Sequence, residues 1–556
     1  MFSSRFIILK SKNIDWWVYL PTIGLFAVAS IFLLVGGQSL EAGLGAILNW
    51  LTGNMSWLYM LVYVINFIFF IYLGLSKFGK TKLGGPKDKP EFSTFHWGSM
   101  VYATGIDASI LMLSIVDPLR YLQSPSFGIK PFSNSAYNYA HMLGQFNWGP
   151  MAWMMFAPAT IAIAYAMYVK HLKVQRLSAA ISVLEGDSLG KRIARNLVDF
   201  LVVIGIMGGV GTSVGMEIPV ISKVLSTVTG IPDTMMLKLG LFAILFVIFA
   251  TAVFHGLTKG IGRLSSAHIW LAIGFLVIVL VVGPTLYILN SETNSIGLFL
   301  NKFISMSFNT AANGKVTVMQ SQTIFYWGWW LSFMPVMGLF IARISRGRTI
   351  RQVLGGMLLW GSLGCVSFYA ILGGYALYLQ KMGIVNLVHI LNTQGQAAVI
   401  AAVLTTLPLK MIMLVLYCLS CFIFLATTVS SFAFITSSFT SKKLEVGQQP
   451  SRFNRMSWVV IFLLFSLGLV TVGGFKAIQS ICAMSGFPLI AVVLIMLYSI
   501  HRDLTTDPVE EAAKATAKAT AKAKRKQLAR DVEISTKTDY ARERPNRKPT
   551  SAQETD

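Results

Sequence analysis

Long apolar runs recur along most of this chain, and short polar stretches separate them. A helix needs about 20 apolar residues to cross roughly 30 Å of hydrocarbon. We predict twelve such spans, near residues 16 to 37, 55 to 76, 96 to 116, 148 to 169, 197 to 215, 237 to 255, 265 to 290, 323 to 342, 353 to 379, 409 to 437, 456 to 473 and 478 to 500. The pattern predicts an all-α membrane protein.

The composition favours the same class. Hydrophobic residues make up 54% of the 556 residues and charged residues only 12%, whereas an average soluble domain is about one quarter charged. The seven histidines are scattered, and we find no nucleophile, general base or metal-ligand arrangement. We therefore expect no enzyme activity, no cofactor and no certain metal site.

The formal net charge is +23, which would suit a nucleic-acid partner if the basic residues were clustered for it. They collect instead in the loops after spans two, four, six, eight and ten. By the positive-inside rule this predicts a multi-pass protein of the cell membrane with both termini in the cytoplasm and no nucleic-acid partner. The first span follows Arg5, Lys10 and Lys12 without a clear cleavage site, so we expect a retained helix.

Three regions follow from this pattern: a cytoplasmic N-terminus at 1–15, a transmembrane domain at 16–500 and a basic Ala/Lys-rich cytoplasmic tail at 501–556. Lysines at four-residue intervals give the tail one basic face. That face could lie on anionic lipid, or it could simply be solvated, and the sequence leaves both open.

Three tryptophans, Trp327, Trp329 and Trp330, share one membrane-length segment with Gly328 and Pro335. Tryptophan faces attract organic cations through the ring quadrupole, so this cluster predicts a cage for a positively charged solute. An aromatic belt at the headgroup level is the alternative.

Polar residues inside spans are costly in hydrocarbon and so indicate function. Asp107 lies near the middle of span three, beside Gly105. Glu217, near the end of span five, is a second such acid, which we expect to gate or line the path of a solute.

Several of these segments match a known family. Residues 325–330 (Phe-Tyr-Trp-Gly-Trp-Trp) and 340–351, with 90–94, 147–150 and 256–260 in support, are similar to motifs of the betaine/carnitine/choline transporters. The chain resembles that family over roughly residues 15 to 500. The resemblance implies twelve transmembrane helices, two peripheral and ten in two inverted five-helix repeats of the LeuT-like type, with alternating access around a midplane site. It also implies a homotrimer.

The family's substrates are quaternary ammonium solutes such as glycine betaine, carnitine and choline, whose trimethylammonium group needs aromatic faces in place of hydration. The family's aromatic box maps onto Trp148, Trp153, Trp329 and Trp330. In this chain, Phe156 stands where relatives carry a tyrosine, and Phe333 stands where they carry a further tryptophan. Met337 stands where they carry a methionine that contacts the substrate.

Arg120 stands where the carnitine branch has a tyrosine. A guanidinium about 6 Å from an ammonium would cost roughly 3 kcal/mol at an effective dielectric of about 20, which disfavours choline. Arg120 could anchor a substrate carboxylate, or it could instead pair with Asp117 or extend to the interface. The first interpretation favours a zwitterion.

A last group of residues bears on how transport is coupled to an ion. Residues 105–109 align with a glycine-rich bend that serves sodium in coupled relatives, and they keep only Gly105 of its glycines. Ser430 and Ser431 align with hydroxyl ligands of sodium, and His268 stands where sodium-independent exchangers carry an arginine. We predict that Asp107 and His268 form a titratable pair that links transport to protons or replaces the ion. A sodium-coupled symporter and a non-transporting osmosensor stay open as alternatives.

Overall fold

A computed structural model describes residues 7–8, 13–105, 108–172, 176–255, 260–442, 448–473 and 475–506. Within these ranges it describes the backbone alone at 7, 8, 108, 252–268, 426, 427 and 430. The chain divides into two units, Met1–Ile500 and His501–Asp556. The second unit is described only as far as residue 506, and the rest of the predicted tail lies outside the described residues.

The described chain is almost entirely helical. Its α-helices are α1 (Trp16–Gly36), α2 (Glu41–Asn54), α3 (Ser56–Leu75), α4 (Thr94–Thr104), α5 (Ala108–Gln123), α6 (Asn134–Trp148), α7 (Pro150–Met155), α8 (Ala157–Tyr168), α9 (Leu189–Thr229), α10 (Met235–His255), α11 (Gly260–Val282), α12 (Thr285–Ser307), α13 (Val318–Ile344), α14 (Ile350–Gly356), α15 (Ser362–Phe368), α16 (Gly374–Lys381), α17 (Leu387–Gln394), α18 (Gln396–Thr405), α19 (Lys410–Phe439), α20 (Arg452–Val472), α21 (Phe475–Gly486) and α22 (Leu489–Thr505).

π-helical turns and short strands interrupt or flank these helices. Two π-helical turns, Met357–Gly361 and Tyr369–Gly373, join α14, α15 and α16 into one continuous helical segment. Two short strands, β1 (Ile7–Ile8) and β2 (Gln448–Gln449), pair in parallel. The prediction of an all-α membrane protein is confirmed at this level.

Eight helices or helix runs among the described residues are long and apolar enough to cross a membrane, or up to ten if each of two bent pairs counts as one span. The first pair, α4 and α5, is inclined at 59°. The second, α11 and α12, turns by 108° at Gly283 and Pro284. The span predicted at 265 to 290 is therefore wrong at its end: hydropathy continues past a proline at which the helix axis changes direction.

Helix α13, which carries the tryptophan cluster, runs unbroken for 27 residues through Pro335. It packs mainly against α8, α21 and α9. At Gly328 a Cβ atom would lie 2.7 Å from the Cα atom of Ala483 on α21, so the glycine serves close helix packing rather than a break.

Arginines that follow α13 donate to backbone carbonyls. The guanidinium of Arg351, on α14, donates to the carbonyls of Gly74, Leu75 and Ser76 at the end of α3. Arg348 donates to Phe92 O at 2.9 Å. The Arg351 bonds satisfy carbonyls that the end of α3 leaves without helical partners.

Candidate functional site

A cavity of about 380 Å³ lies against the middle of α13. Four elements contribute aromatic rings to its wall: the end of α6, the α7–α8 region, α13 and α19. We call it the aromatic cavity; its lining residues are Ala103, Thr104, Gly105, Trp148, Ala152, Trp153, Phe156, Ser213, Trp330, Phe333, Val336, Met337, Phe340, Cys365, Phe424, Thr428, Ser431, Phe432 and Ile435. None of these described residues is charged, so the cavity offers ring faces and hydroxyl groups rather than ion pairs.

The helix break between α6 and α7 places the first aromatic group. Gly149 leaves helical geometry with φ −91° and ψ −137°, and Pro150 starts the next helix. Because proline lacks an N–H, it fits this first position and not a helix interior. Trp148 ends α6, and Trp153 lies on α7, so the break directs both rings into one cavity.

Gly361, at the end of the π-helical turn Met357–Gly361, leaves room for Trp153. A side chain on Gly361 would overlap the Trp153 indole. π-helical turns often mark functional sites. From the same segment, Cys365 on α15 lines the cavity.

Trp330 is held by a hydrogen bond. Its Nε1 donates to Asn147 O at 2.8 Å. The Trp148 ring meets it nearly edge-on, with centroids 4.6 Å apart and planes at 77°, and Phe156 packs edge-on at 6.0 Å. Edge-to-face packing around a bonded indole fixes the orientation of the ring in advance.

Hydroxyl groups also line the cavity. Thr104 on α4, Ser213 on α9, and Thr428 and Ser431 on α19 are among the lining residues. On α19 they lie next to Phe424 and Phe432, so hydroxyl groups and ring faces share this part of the wall.

Two of the α13 tryptophans do not line this cavity. Trp329 lies behind Trp330, with parallel rings 5.5 Å apart. Trp327 stacks on Tyr63 of α3 at 4.2 Å, and its Nε1 donates to Met60 Sδ. Sequence spacing could not separate them, because three aromatic residues within four positions must point in different directions around a helix.

A second, larger cavity of about 1130 Å³ lies toward the other end of α13. We call it the large cavity. Its wall includes Val318, Ser321 and Gln322 of α13, together with Arg120 of α5. The described residues that line the two cavities do not overlap. Gln322 and Trp330 are separated by about 12 Å along the helix axis.

Arg120 belongs to the large cavity and not to the aromatic cavity. It pairs with Asp117 at 3.3 Å, donates to Gln396 Oε1 at 2.8 Å and lies 3.6 Å over the Phe475 ring. Of the two interpretations offered above, the structure shows the pairing with Asp117. The 6 Å separation between Arg120 and a substrate ammonium is not supported by this placement.

Asp117 is the residue that the sequence interpretation undervalued. It is fully buried and accepts hydrogen bonds from the hydroxyls of Tyr326, Tyr369 and Tyr121. The available signal was an acid directly before a proline in an apolar span. The three tyrosines are 4 to 252 residues away in sequence, so no local pattern could have grouped them.

Aromatic rings fill the space between the two cavities. From the large cavity inward, Phe475 packs on Phe325 at 5.9 Å, Phe325 on Trp329 at 5.2 Å, and Trp329 on Trp330. Tyr326 stacks on both tryptophans while it donates to Asp117. We call this layer the aromatic partition.

The predicted coupling residues are only partly described. Gly105 lines the aromatic cavity, and its carbonyl accepts the Cys365 thiol at 3.4 Å. Ser431 lines the same cavity. Asp107 lies outside the described residues, as do the side chains of His268 and Ser430, so the Asp107–His268 pair stays a prediction.

The comparisons with known proteins agree with this architecture. The family model for BCCT, betaine/carnitine/choline family transporter, matches residues 17–509. A relative from Escherichia coli (strain K12), the uncharacterized transporter YeaV, is 30% identical over 442 residues, which cover 79% of this chain and 90% of the relative. The chain is therefore a multi-pass transporter of the cell membrane rather than an enzyme, and it belongs to the betaine/carnitine/choline transporter family.

Proposed function

We propose that this protein is a secondary active transporter of a quaternary ammonium zwitterion, betaine-like or carnitine-like, and that the aromatic cavity is its substrate site. One observation carries the proposal. Trp148, Trp153, Trp330, Phe156 and Phe333 come from distant parts of the chain and line a single uncharged cavity.

The aromatic wall suits the ammonium group. A trimethylammonium ion has no N–H to donate, so ring faces replace its water, at about 2 kcal/mol or more for a desolvated contact. Trp330 and Trp148 are fixed by packing and a hydrogen bond, which lowers the cost of ordering them on binding.

The hydroxyl groups of the cavity suit the carboxylate. Ser213 and Thr428 line the cavity together with the tryptophans, and hydroxyl groups donate hydrogen bonds to a carboxylate. A zwitterion can therefore be held at both ends inside the aromatic cavity without Arg120. Choline, which has a hydroxyl in place of the carboxylate, would use these hydroxyl groups less well.

The placement of the two cavities supports alternating access. The aromatic cavity extends toward the basic end of α13 at Phe340, and the large cavity lies at the other end near Val318. The aromatic partition separates them. We propose that this arrangement is one state of the cycle and that the partition opens in the other.

We further propose the twelve-span topology with both termini in the cytoplasm. The count follows if α10 and α19, which have 21 and 30 residues, join the up to ten candidate spans. Both are long enough for roughly 30 Å of hydrocarbon. The inverted repeats and the homotrimer rest on the family resemblance.

A thermal-shift screen with betaines, carnitine and choline tests the site. A binder at 100 times its Kd stabilises the folded protein by about 2.7 kcal/mol. Trp330→Leu removes one ring and should raise the Kd about 30-fold if the contact contributes about 2 kcal/mol. Trp270→Leu is the matched control, because that indole is 73% exposed on α11.

Uptake of the selected compound into proteoliposomes completes the test. Binding with uptake supports the transporter, whereas binding without flux supports the osmosensor. If no quaternary ammonium compound stabilises the protein, or if Trp330→Leu and Trp270→Leu behave alike, the assignment of the aromatic cavity is wrong.

A further inference from the structure

A second acidic side chain is buried in the transmembrane domain beside the aromatic cavity. Glu217 on α9 is 2% exposed. Ser109, at the start of α5, donates to Glu217 Oε1 at 2.7 Å. An ionisable group in a membrane core is costly and is commonly kept for function.

Two helical segments that line the aromatic cavity lead to this carboxylate. On α9, Ser213 lines the cavity and Glu217 follows one turn later; on α4–α5, Gly105 lines it and Ser109 follows. Residues four apart share one helix face, so Glu217 lies on the cavity side of α9.

Helix α19 packs against α9 and borders the same cavity. Phe424 lines the aromatic cavity, and Tyr417, two turns away on the same face of α19, is 2% exposed. The hydrogen bond from Ser109 on α5 is the described contact that fixes the carboxylate.

The carboxylate also lies at the level where both cavities end. Gly215 and Pro219, which bracket Glu217 on α9, line the large cavity, whereas Ser213 lines the aromatic cavity. Along the axis of α9, Glu217 therefore lies where the lining changes from one cavity to the other.

A carboxylate beside a hydroxyl oxygen has the chemistry of a proton acceptor and of a ligand pair for a hard monovalent cation. A zwitterion carries no net charge and gains nothing from the membrane potential, so concentrating it requires coupling to a second gradient, such as that of an ion. We propose that Glu217 binds the coupling cation, a proton or sodium, and that Ser109 positions the carboxylate. This proposal rests on the proposed transport function and does not depend on the Asp107–His268 pair.

The test separates exchange from accumulation. The full-length protein is reconstituted, and radiolabelled glycine betaine or carnitine is followed in two assays: exchange against internal unlabelled compound, and net uptake under a tenfold proton or sodium gradient. One-to-one coupling supports up to about tenfold accumulation, since one gradient supplies the free energy of the other.

Glu217→Gln keeps the shape and a hydrogen-bonding side chain but removes the charge. We expect it to exchange substrate while its accumulation falls to a ratio of about one. Ser109→Ala, which keeps the carboxylate, should still accumulate substrate but need at least a severalfold higher cation concentration. Glu292→Gln is the matched control, because Glu292 on α12 accepts a hydrogen bond from the Gln145 side chain and lines neither cavity.

The gradient that drives accumulation in the wild type identifies the cation. If the Glu217→Gln variant still concentrates substrate, the proposal is wrong. The proposal is also wrong if a folded Glu217→Gln variant binds substrate but does not exchange it. Wild-type exchange without accumulation under either gradient also overturns it and leaves the transport function standing. Wild type with neither binding nor exchange contradicts the transport function itself.

Discussion

At the residue scale, Asp117 links the aromatic cavity to the large cavity. Its carboxylate accepts three phenol hydroxyls and pairs with Arg120. Tyr326, one of the three, stacks on Trp329 and Trp330. Hydrogen bonds of this kind orient rings as well as satisfy a buried charge.

Replacing Asp117 by Asn should destabilise the protein by about 3–5 kcal/mol, because Arg120 would keep its charge in a largely buried position without its partner. Thermal unfolding in detergent measures the effect. Asp88→Asn serves as the control: Asp88 pairs with Arg346, whose side chain is 55% exposed, so we expect a loss below about 1 kcal/mol.

The double variant Asp117→Asn with Arg120→Gln isolates the pair. If the charge pairing dominates, the double variant should be more stable than Asp117→Asn alone, because the unpaired charge has gone. Equal loss in the single and double variants would mean that the three tyrosines, and not Arg120, account for the role of Asp117.

At the element scale, helix breaks and helix interiors both shape the site. The α6–α7 break aims Trp148 and Trp153, and Gly361, at the end of the π-helical turn Met357–Gly361, leaves room for the Trp153 ring. The partition, by contrast, rests largely on the unbroken helix α13.

Gly361→Ala tests the role of the π-helical turn. The added methyl overlaps the Trp153 indole, so the ring must move, at a cost of about 1–3 kcal/mol for overpacking. Because Trp153 lines the cavity, the Kd for the selected ammonium compound should rise along with this loss of stability. Gly355→Ala, on the neighbouring α14, is the control, since a Cβ there meets nothing within 4 Å.

Thermal unfolding and ligand titration of both variants measure the two effects. Alanine is about 1 kcal/mol better than glycine in a helix interior, so Gly355→Ala should be neutral or stabilising. Gly361→Ala that binds as tightly as the wild type would show that the turn does not fix the cavity wall.

Sequence periodicity and helix-breaking residues carry some of this information and lack the rest. The pair Gly149–Pro150 is a sequence signal for a helix break, and the structure has a break there. The hydropathy pattern does not mark the π-helical turns, because an extra residue in a turn leaves the span long and apolar. For Arg120 the sequence left open a contact with a substrate carboxylate and a pairing with Asp117, and the structure shows the pairing. The contacts of Arg120 with Gln396 and Phe475 are tertiary and depend on how α18 and α21 pack.

At the scale of the whole molecule, the large cavity lies at the N-terminal end of α13, the aromatic cavity lies beside its middle and C-terminal half, and the aromatic partition separates the two. The hydropathy pattern could place helices in a membrane, but it could not show which side a central cavity reaches. The side that the cavity reaches depends on which packed layer of the protein is closed. A transporter must have at least two conformations, with different layers closed, that are close in free energy.

Cysteine labelling tests the separation directly. Cys365 lines the aromatic cavity, whereas Cys418, Cys421 and Cys482 line neither cavity among the described residues. A variant with Cys365 as its single cysteine, and a second variant with Ser321→Cys alone in the large cavity, provide one probe for each side. The reagent is a methanethiosulfonate that carries a trimethylammonium group, which itself resembles the expected substrate.

In sealed vesicles we expect Cys365 to react from the side of the basic end of α13, which the positive-inside rule assigns to the cytoplasm, and Ser321→Cys from the opposite side. Saturating glycine betaine or carnitine should slow labelling of Cys365 by occupying the aromatic cavity, because a bound ligand excludes the reagent. Labelling of both cysteines from one face would contradict the separation of the cavities. Labelling of Cys365 that no quaternary ammonium compound slows would place the substrate elsewhere.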